Sequence, residues 1–418
     1  MTLSPTTPPN DATASSDAYA IGRDSRQLVK TLAALKSRFV GKDLVIDLLG
    51  VGLVARENVF LYGPPGTAKS AIVGSLARAI DGRAFDYLLT RFTEPSELFG
   101  PFDIRRLREG DLITNTDGML PEADLVFLDE LLNANSAILN ALLLALNERV
   151  FRRGRETTPL PTLMVVAAGN SLPEDEALAA LFDRFLVRVL VDNVEPDRLG
   201  EVLRAGWALE SDVRHSDAGK SSDGSQPDAG GEGVSPEAIR RLQSAVAAVD
   251  LDGIRTTYVE LIAAIRRAGI AISDRRAVRF QRLLAASAIL CGRLRVIPSD
   301  LWVLRSTWDR PEQQSILAAL VDEASKTAEM DVAAGDGPDH PQSQIDAAVD
   351  AEALAADLTL LADELAAASD IPTRLAIRDR LALLAGRVQW LPAGEQRSEL
   401  DRWLAEQWAA LASATDEA

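Results

Sequence analysis

The 418-residue chain holds one cysteine, two histidines, six lysines and 5% aromatic residues. Cys291 alone forms no internal disulfide, which fits a reducing cytoplasm. His215 and His340 are too few for a His-based zinc site or a Ser-His-Asp triad, and both fall in stretches that read as linkers. Basic excess is absent too: 44 Lys+Arg stand against 62 Asp+Glu, a net charge of −18. Phosphate backbones and anionic membranes repel such a surface, so generic nucleic-acid binding is disfavoured. No apolar run can span a bilayer. The most apolar stretches break within about a dozen residues, as at Asp47 and Arg56, whereas a span needs about 20. The N-terminal MTLSPTTPPNDATASSDAYA lacks a cationic start and an apolar core. It reads as a disordered tail over 1–21 and not as a signal peptide.

The length is ample for two or three domains with real cores, and no staple is needed. Residues 22–205 alternate short apolar runs with helical patterns. The runs are Asn58–Tyr62, Ala84–Leu89, Leu125–Leu128, Leu163–Ala168 and Phe185–Val191. This alternation predicts an α/β fold with a parallel sheet wrapped by helices. Val and Ile enrichment without strict polar alternation suits strands buried on both faces. Residues 206–234, rich in Gly, Ser and Asp, read as a flexible linker. Ser235 as N-cap and Pro236 as first helical residue open an all-α block at 235–312. A helix and a second linker fill 313–343, and an Ala/Leu-rich helical region occupies 344–418. There Leu354, Leu358, Leu361 and Leu365 share one helix face, and Leu400, Trp403, Leu404, Trp408 and Leu411 share another. Both stripes read as helix-bundle core.

The strand Asn58–Tyr62 leads into Gly63-Pro64-Pro65-Gly66-Thr67-Ala68-Lys69-Ser70 and then a helix. Strand, glycine loop and helix together form the setting of a nucleotide phosphate loop. Backbone N–H groups and the helix N-terminus would hold phosphate oxygens. Lys69 would reach the β and γ phosphates, and the Ser70 hydroxyl would bind Mg²⁺. Ala68 stands where the last glycine is expected; its methyl group demands a backbone angle that alanine can adopt.

Sixty residues on, the apolar run Leu125–Leu128 ends in Asp129-Glu130. Asp129 would serve Mg²⁺ and Glu130 would polarise the attacking water. Asn170, at the end of a further buried run, could orient that water. Arg184, opening the last run, suits a neighbouring subunit's γ phosphate and not its own. Such a finger is worth roughly 10³–10⁵ in rate. In Ser273-Asp274-Arg275-Arg276, Ser273 or Asp274 caps a helix. An arginine at a helix start opposes the dipole and so suggests a phosphate partner; Arg275 is preferred to Arg276.

This order of motifs resembles the AAA+ ATPases, and more narrowly the MoxR branch and its RavA-type regulatory members. The narrower resemblance rests on GPPGTAKS, FTEPSELFGPFDI, LPEADLVFLDELLNANSAILNALLLALNERVFRRG and SDRRAVRFQRLLAASAILCGRLRVIPSDL, within residues 22–310, about 70% of the chain. Alanine at the position of Ala68 is common in that branch. The resemblance implies Val40-Gly41 near adenine, Asn170 as first sensor, Arg184 as finger in trans and Arg275 as second sensor. It implies ATP and Mg²⁺ as ligands and a homo-oligomeric ring, often of six subunits. Residues 91–120 resemble the helix-2 insert facing the ring pore, and 148–162 the hairpin before the first sensor. Arg149, Arg152, Arg153 and Arg155 make that hairpin a candidate track for an acidic segment.

The expected function is therefore ATP-driven, chaperone-like remodelling of partner proteins. The family's characteristic partners carry a von Willebrand factor A domain. A nucleotide-dependent scaffold with negligible turnover, a chelatase-like motor subunit and a nucleic-acid motor are the alternatives. Residues 326–418 hold 18 Asp/Glu against 7 Lys/Arg, which is −11 of the −18. The acidity thus belongs mainly to the tail, which matches no extension of the family and is the expected seat of partner specificity.

Overall fold

The computed structural model describes residues 11–103, 108, 113–153, 156–173, 176–194, 198–207, 233–328, 338–344, 351–367 and part of 373–408. Two helices, α1 (Asp11–Arg38) and α2 (Asp43–Ala55), precede β1 (Asn58–Tyr62). Then come α3 (Lys69–Ala79), β2 (Ala84–Leu88), α4 (Pro95–Phe99), β3 (Leu125–Asp129) and α5 (Ser136–Glu148). The strands β4 (Val150–Arg153) and β5 (Glu156–Pro159) form an antiparallel hairpin. The α/β part ends with β6 (Met164–Gly169), α6 (Glu176–Phe182) and β7 (Phe185–Leu190). The lid comprises α7 (Pro236–Ala245), α8 (Arg255–Arg267), α9 (Asp274–Leu290), a 3₁₀ segment Pro298–Ser306 and α10 (Gln314–Thr327); α11 (Ala351–Ala367) belongs to the C-terminal region.

Five strands pair in parallel in the order β2-β3-β6-β1-β7, as the apolar runs predict. Side chains alternate across a strand, so one strand feeds two cores. Val59 and Leu61 of β1 join α1, α2, α3 and the lid, whereas Phe60 joins α5 and α6. The same division separates Leu125 and Phe127 from Val126 and Leu128 in β3. Phe60 meets Phe182 and Phe185 edge-on, with centroids 5.0 and 6.0 Å apart. The crossover helices force every strand's C-terminal end to one edge of the sheet, where ligands bind in open α/β folds.

The lid is continuous with the first core through Ile239, Leu242, Phe280, Leu284 and Leu301. Ser235 caps α7, its Oγ accepting from Ala238 N at 3.2 Å, and Ser273, not Asp274, caps α9. Each such cap is worth about 1 kcal/mol. Asp309 joins lid to sheet: it accepts from Arg276 of α9 at 2.9 and 3.1 Å and from the buried Arg188 of β7. Glu57, just before β1, is buried between Arg279 and Arg282 of α9.

Three expectations about the connections need correction. The helix α1 begins at Asp11, inside the stretch expected to be a disordered tail. The expected linker 206–234 is helical to residue 207, lies outside the described residues over 208–232, and ends with Val234 buried and bridged to Ile80. In the second expected linker, residues 338–344 are docked, with His340 and Gln342 buried. His215 lies outside the described residues. In the C-terminal region Leu358, Leu361, Ile377, Leu381, Val388 and Leu404 form a separate small core, packed by Leu365, Leu400 and Trp403. Trp408 is partly exposed and does not join it.

Candidate active site

The phosphate-loop sequence connects β1 to α3 at the C-terminal edge of the sheet. A Cβ at Gly63 would lie 2.1 Å from Val191 O, so only glycine lets the loop leave the strand there. Gly66 has φ +84, a conformation that favours glycine, with open space around it. Ala68 is left-handed too, with φ 67 and ψ 18. The methyl group that departs from the expected glycine thus sits at an angle an L side chain disfavours by about 1–2 kcal/mol. Lys69 is buried and its Nζ donates to Gly63 O (2.8 Å) and Pro64 O (2.7 Å). Burial holds its pKa below the ordinary lysine value, against the pull of Asp129 and Glu130.

Ser70 Oγ lies 3.2 Å from Asp129 Oδ2, so the first turn of α3 and the end of β3 converge. A hydroxyl and a carboxylate are hard oxygen donors of the kind Mg²⁺ takes, and the convergence fits that ion. Glu130 follows with φ 52 and ψ 43, a left-handed turn that ends the strand and starts the 3₁₀ segment Leu131–Asn133. Its Oε2 accepts from Asn133 Nδ2 at 3.3 Å. Asn170 is exposed directly after β6, the strand between β3 and β1, and Gly63 N donates to Gly169 O at 3.1 Å. The strand register therefore places Asn170 at the edge that carries Glu130 and the loop.

The Val40-Gly41 turn lies at the same edge. Gly41 has φ +69, and a Cβ there would meet Val194 Cγ1 at 2.4 Å. The neighbouring Lys42 donates to Asp192 O, just past β7. Gly63 and Gly41 thus both pack on the segment that leaves β7.

Arg184 lies at the opposite edge. Asn58 Nδ2 donates to its carbonyl at 3.2 Å, which fixes Arg184 level with the start of β1. The loop begins past the other end of that five-residue strand, roughly 16 Å away at 3.3 Å per residue. The Arg184 guanidinium is held below the ordinary arginine pKa by burial, then by the nearby charge of Arg275. Its Nη1 sits 3.8 Å from Asp183 Oδ2, too far for a hydrogen bond. Arg275 is exposed and shares this edge, whereas Arg276 is buried and engaged by Asp309 and by Thr307 O (2.9 Å).

The hairpin arginines divide differently from the expected track. Arg149 is left-handed at φ 50 and points inward, donating to Thr162 O (2.8 Å) and Arg56 O (2.8 Å). Burial pushes its pKa down to about 10. Arg152 pairs with Glu148 at 3.0 Å. The side chains of Arg153 and Arg155 lie outside the described residues. In the insert, Asp103 N donates to Ile113 O (2.8 Å) and Asn115 N to Pro101 O (2.9 Å), an antiparallel base whose tip lies outside the described residues.

Residues 26–224 match the family model described as the MoxR domain in the MoxR-vWA-beta-propeller ternary systems, and 251–321 match an AAA lid domain. An uncharacterised protein of Methanocaldococcus jannaschii is 32% identical over 288 residues, 68% of this chain and 72% of that one. The chain belongs to the MoxR-type AAA+ ATPases. Chaperone MoxR1 of Mycobacterium tuberculosis, also of MoxR type, is 27% identical over 190 residues, 44% of this chain and 50% of that one. The same fold is seen in a crystal structure of a candidate ATPase from Cytophaga hutchinsonii, at a TM-score of 0.57 and 19% identity over 76% of this chain and 98% of that one. No helix among the described residues is long and apolar enough to cross a membrane.

Sequence reasoning did not find Asn133, Asn135, Glu57 or His340. The first two stand three and five places after Glu130, so their spacing was available as a signal. Glu57 and His340 gain their roles from contacts with residues distant in the chain, which no local pattern displays.

Proposed function

We propose that this MoxR-type chain hydrolyses ATP at interfaces of a homo-oligomeric ring, often hexameric in its family, and uses the cycle to remodel partner proteins. The observation that carries the reading is the convergence of Lys69, Ser70 and Asp129 beside Glu130, with Ser70 Oγ 3.2 Å from Asp129 Oδ2. The backbone of Gly63–Ser70 and Lys69 bind the triphosphate, and Val40-Gly41 lies toward the adenine. Ser70 and Asp129 would hold Mg²⁺, which when bound supplies positive charge against the phosphates. Glu130 takes the proton of the attacking water, and Asn170 orients that water. Release of Glu130 from the Asn133 amide frees its carboxylate for that task.

Arg184 is displaced by the length of β1 from its own loop, which supports a role on a neighbour's γ phosphate. Arg275 shares that edge, so we assign it the same neighbour. A shared interface site of this kind needs a ring or a chain of subunits. The description of the matching family model supports a von Willebrand factor A domain partner. A RavA-like role and a cytoplasmic setting, the latter from the lone Cys291, complete the proposal.

The test is binding and turnover in two variants. Glu130→Gln retains ATP affinity and loses steady-state phosphate release, and Lys69→Ala loses the affinity. Wild-type turnover by Glu130→Gln would remove Glu130 from the chemistry.

A further inference from the structure

Phe92 is the most exposed large apolar side chain among the described residues, at 83%. It does not hang on a loose loop. Thr93 N donates to Thr90 O (3.2 Å), Thr90 N to Thr93 Oγ1 (2.9 Å) and Phe92 N to Thr90 Oγ1 (3.2 Å), so the Thr90–Thr93 turn is closed upon itself. Thr93 is buried. The start of the turn is tied to the end of β3, since Leu89 N donates to Asp129 O at 2.9 Å.

A second tie comes from Asn135. Its Nδ2 donates to Arg91 O (3.2 Å) and to Thr93 O (2.7 Å), the carbonyls on either side of Phe92. Its Oδ1 meanwhile accepts from Ala137 N and Ile138 N, both at 3.1 Å, and so caps α5. One side chain therefore fixes the helix start with its oxygen and the aromatic turn with its nitrogen.

Asn135 is also close in the chain to Glu130, and the path between them has no slack. Asn133 N donates to Glu130 O (2.9 Å) and Ala134 N to Leu131 O (3.2 Å), while Leu131 and Ala134 are buried. The Asn133 amide holds the Glu130 carboxylate from this same segment at 3.3 Å. A carboxylate that turns toward a phosphate leaves that amide. The left-handed Glu130 backbone, disfavoured for its side chain, is then free to relax.

We propose that Asn135 is a positioning residue that couples the Glu130 carboxylate to the Phe92 turn, so that the exposed aromatic shifts with the nucleotide state. The inference rests on the reading of Glu130 as the group that faces the triphosphate. Coupling of this kind needs a two-state element biased at both ends. The Glu130–Asn135 segment is that element, with the carboxylate at one end and the turn carbonyls at the other.

Asn135→Asp separates coupling from folding, because aspartate keeps the capping oxygen and lacks the amide that holds the turn. Asn135→Ser does the same with a shorter cap. The experiment is hydrogen exchange at the amides of residues 90–93, with and without a non-hydrolysable ATP analogue, alongside analogue binding by fluorescence. The wild-type protein shows a shift in exchange at 92 and 93 on loading. Both variants bind the analogue with unchanged affinity and lose that shift. Persistence of the shift in both variants, or its absence in a wild-type protein that binds the analogue, overturns the coupling. Failure of the wild-type protein to bind the analogue is a different result: it overturns the nucleotide reading, and the coupling with it.

Discussion

Ala68 and Glu130 flank the chemistry from two sides, and both carry a left-handed backbone with an L side chain, at φ 67 and φ 52. Glycine at position 68 would follow the same path without strain, giving up only a methyl partly buried against the first core. Ala68→Gly is expected to stabilise the protein by about 1 kcal/mol, the left-handed penalty less the extra chain entropy of glycine. Thermal unfolding checks this as a rise of a few degrees, and an unchanged or lower midpoint would count against the strain. For Glu130 the strain sits at the residue assigned to the water, where a bistable arrangement serves a cycle. The identities of Lys69, Ser70, Asp129 and Glu130 were legible in the sequence because each motif is contiguous and its context is a strand end. The angles at 68 and 130 were not, because they depend on where the chain must go next.

The strands were the most legible elements. β1, β3, β6 and β7 are buried along almost their whole length, so their apolar runs stand out against charged helices, whereas β2, expected to be buried on both faces, is an edge strand exposed at Ala84, Asp86 and Leu88. Connecting segments were least legible. The stretch at 338–344 looks like a linker by composition, yet it forms a strap across two parts of the fold. His340 stacks on Trp302 of the lid with centroids 4.4 Å apart, and Gln342 Nε2 donates to Asp47 Oδ2 of α2 at 2.8 Å. Arg305 donates to Gln342 O at 3.0 Å. His340 Nδ1 accepts from Gln342 N at 3.2 Å, which requires that nitrogen to be unprotonated. Burial holds the imidazole below its ordinary value of 6.5; Asp47 and Asp300 oppose this, and Lys36 and Arg293 add to it. A proton therefore favours the undocked strap. Docking is fully present above about pH 6.5 and weakens as pH falls through the lower docked value. Hydrogen exchange over 338–344, corrected for its intrinsic pH dependence, should rise on acidification between these limits. Flat protection across them would contradict the role of His340.

At the scale of the whole molecule the two edges of the sheet do different work. The C-terminal edge gathers the loop, Asp129, Glu130, Asn170 and the Gly41 turn; the N-terminal edge carries Arg184 and Arg275. The sequence named these residues from motif order but could not show that the two arginines share an edge, since β7 and α9 meet only in the fold. Among the described residues of the C-terminal region a small separate core forms around Leu358 and Leu404. The central claim of the proposal is that a site split between the edges of one subunit is completed by another copy. Mixing Glu130→Gln subunits with Arg184→Ala subunits tests it most directly. Each variant alone releases no phosphate above background. In the mixture, an intact Glu130 of one variant meets an intact Arg184 of the other, and the account predicts that ATPase activity returns. A mixture that assembles and remains as inactive as its components would contradict it.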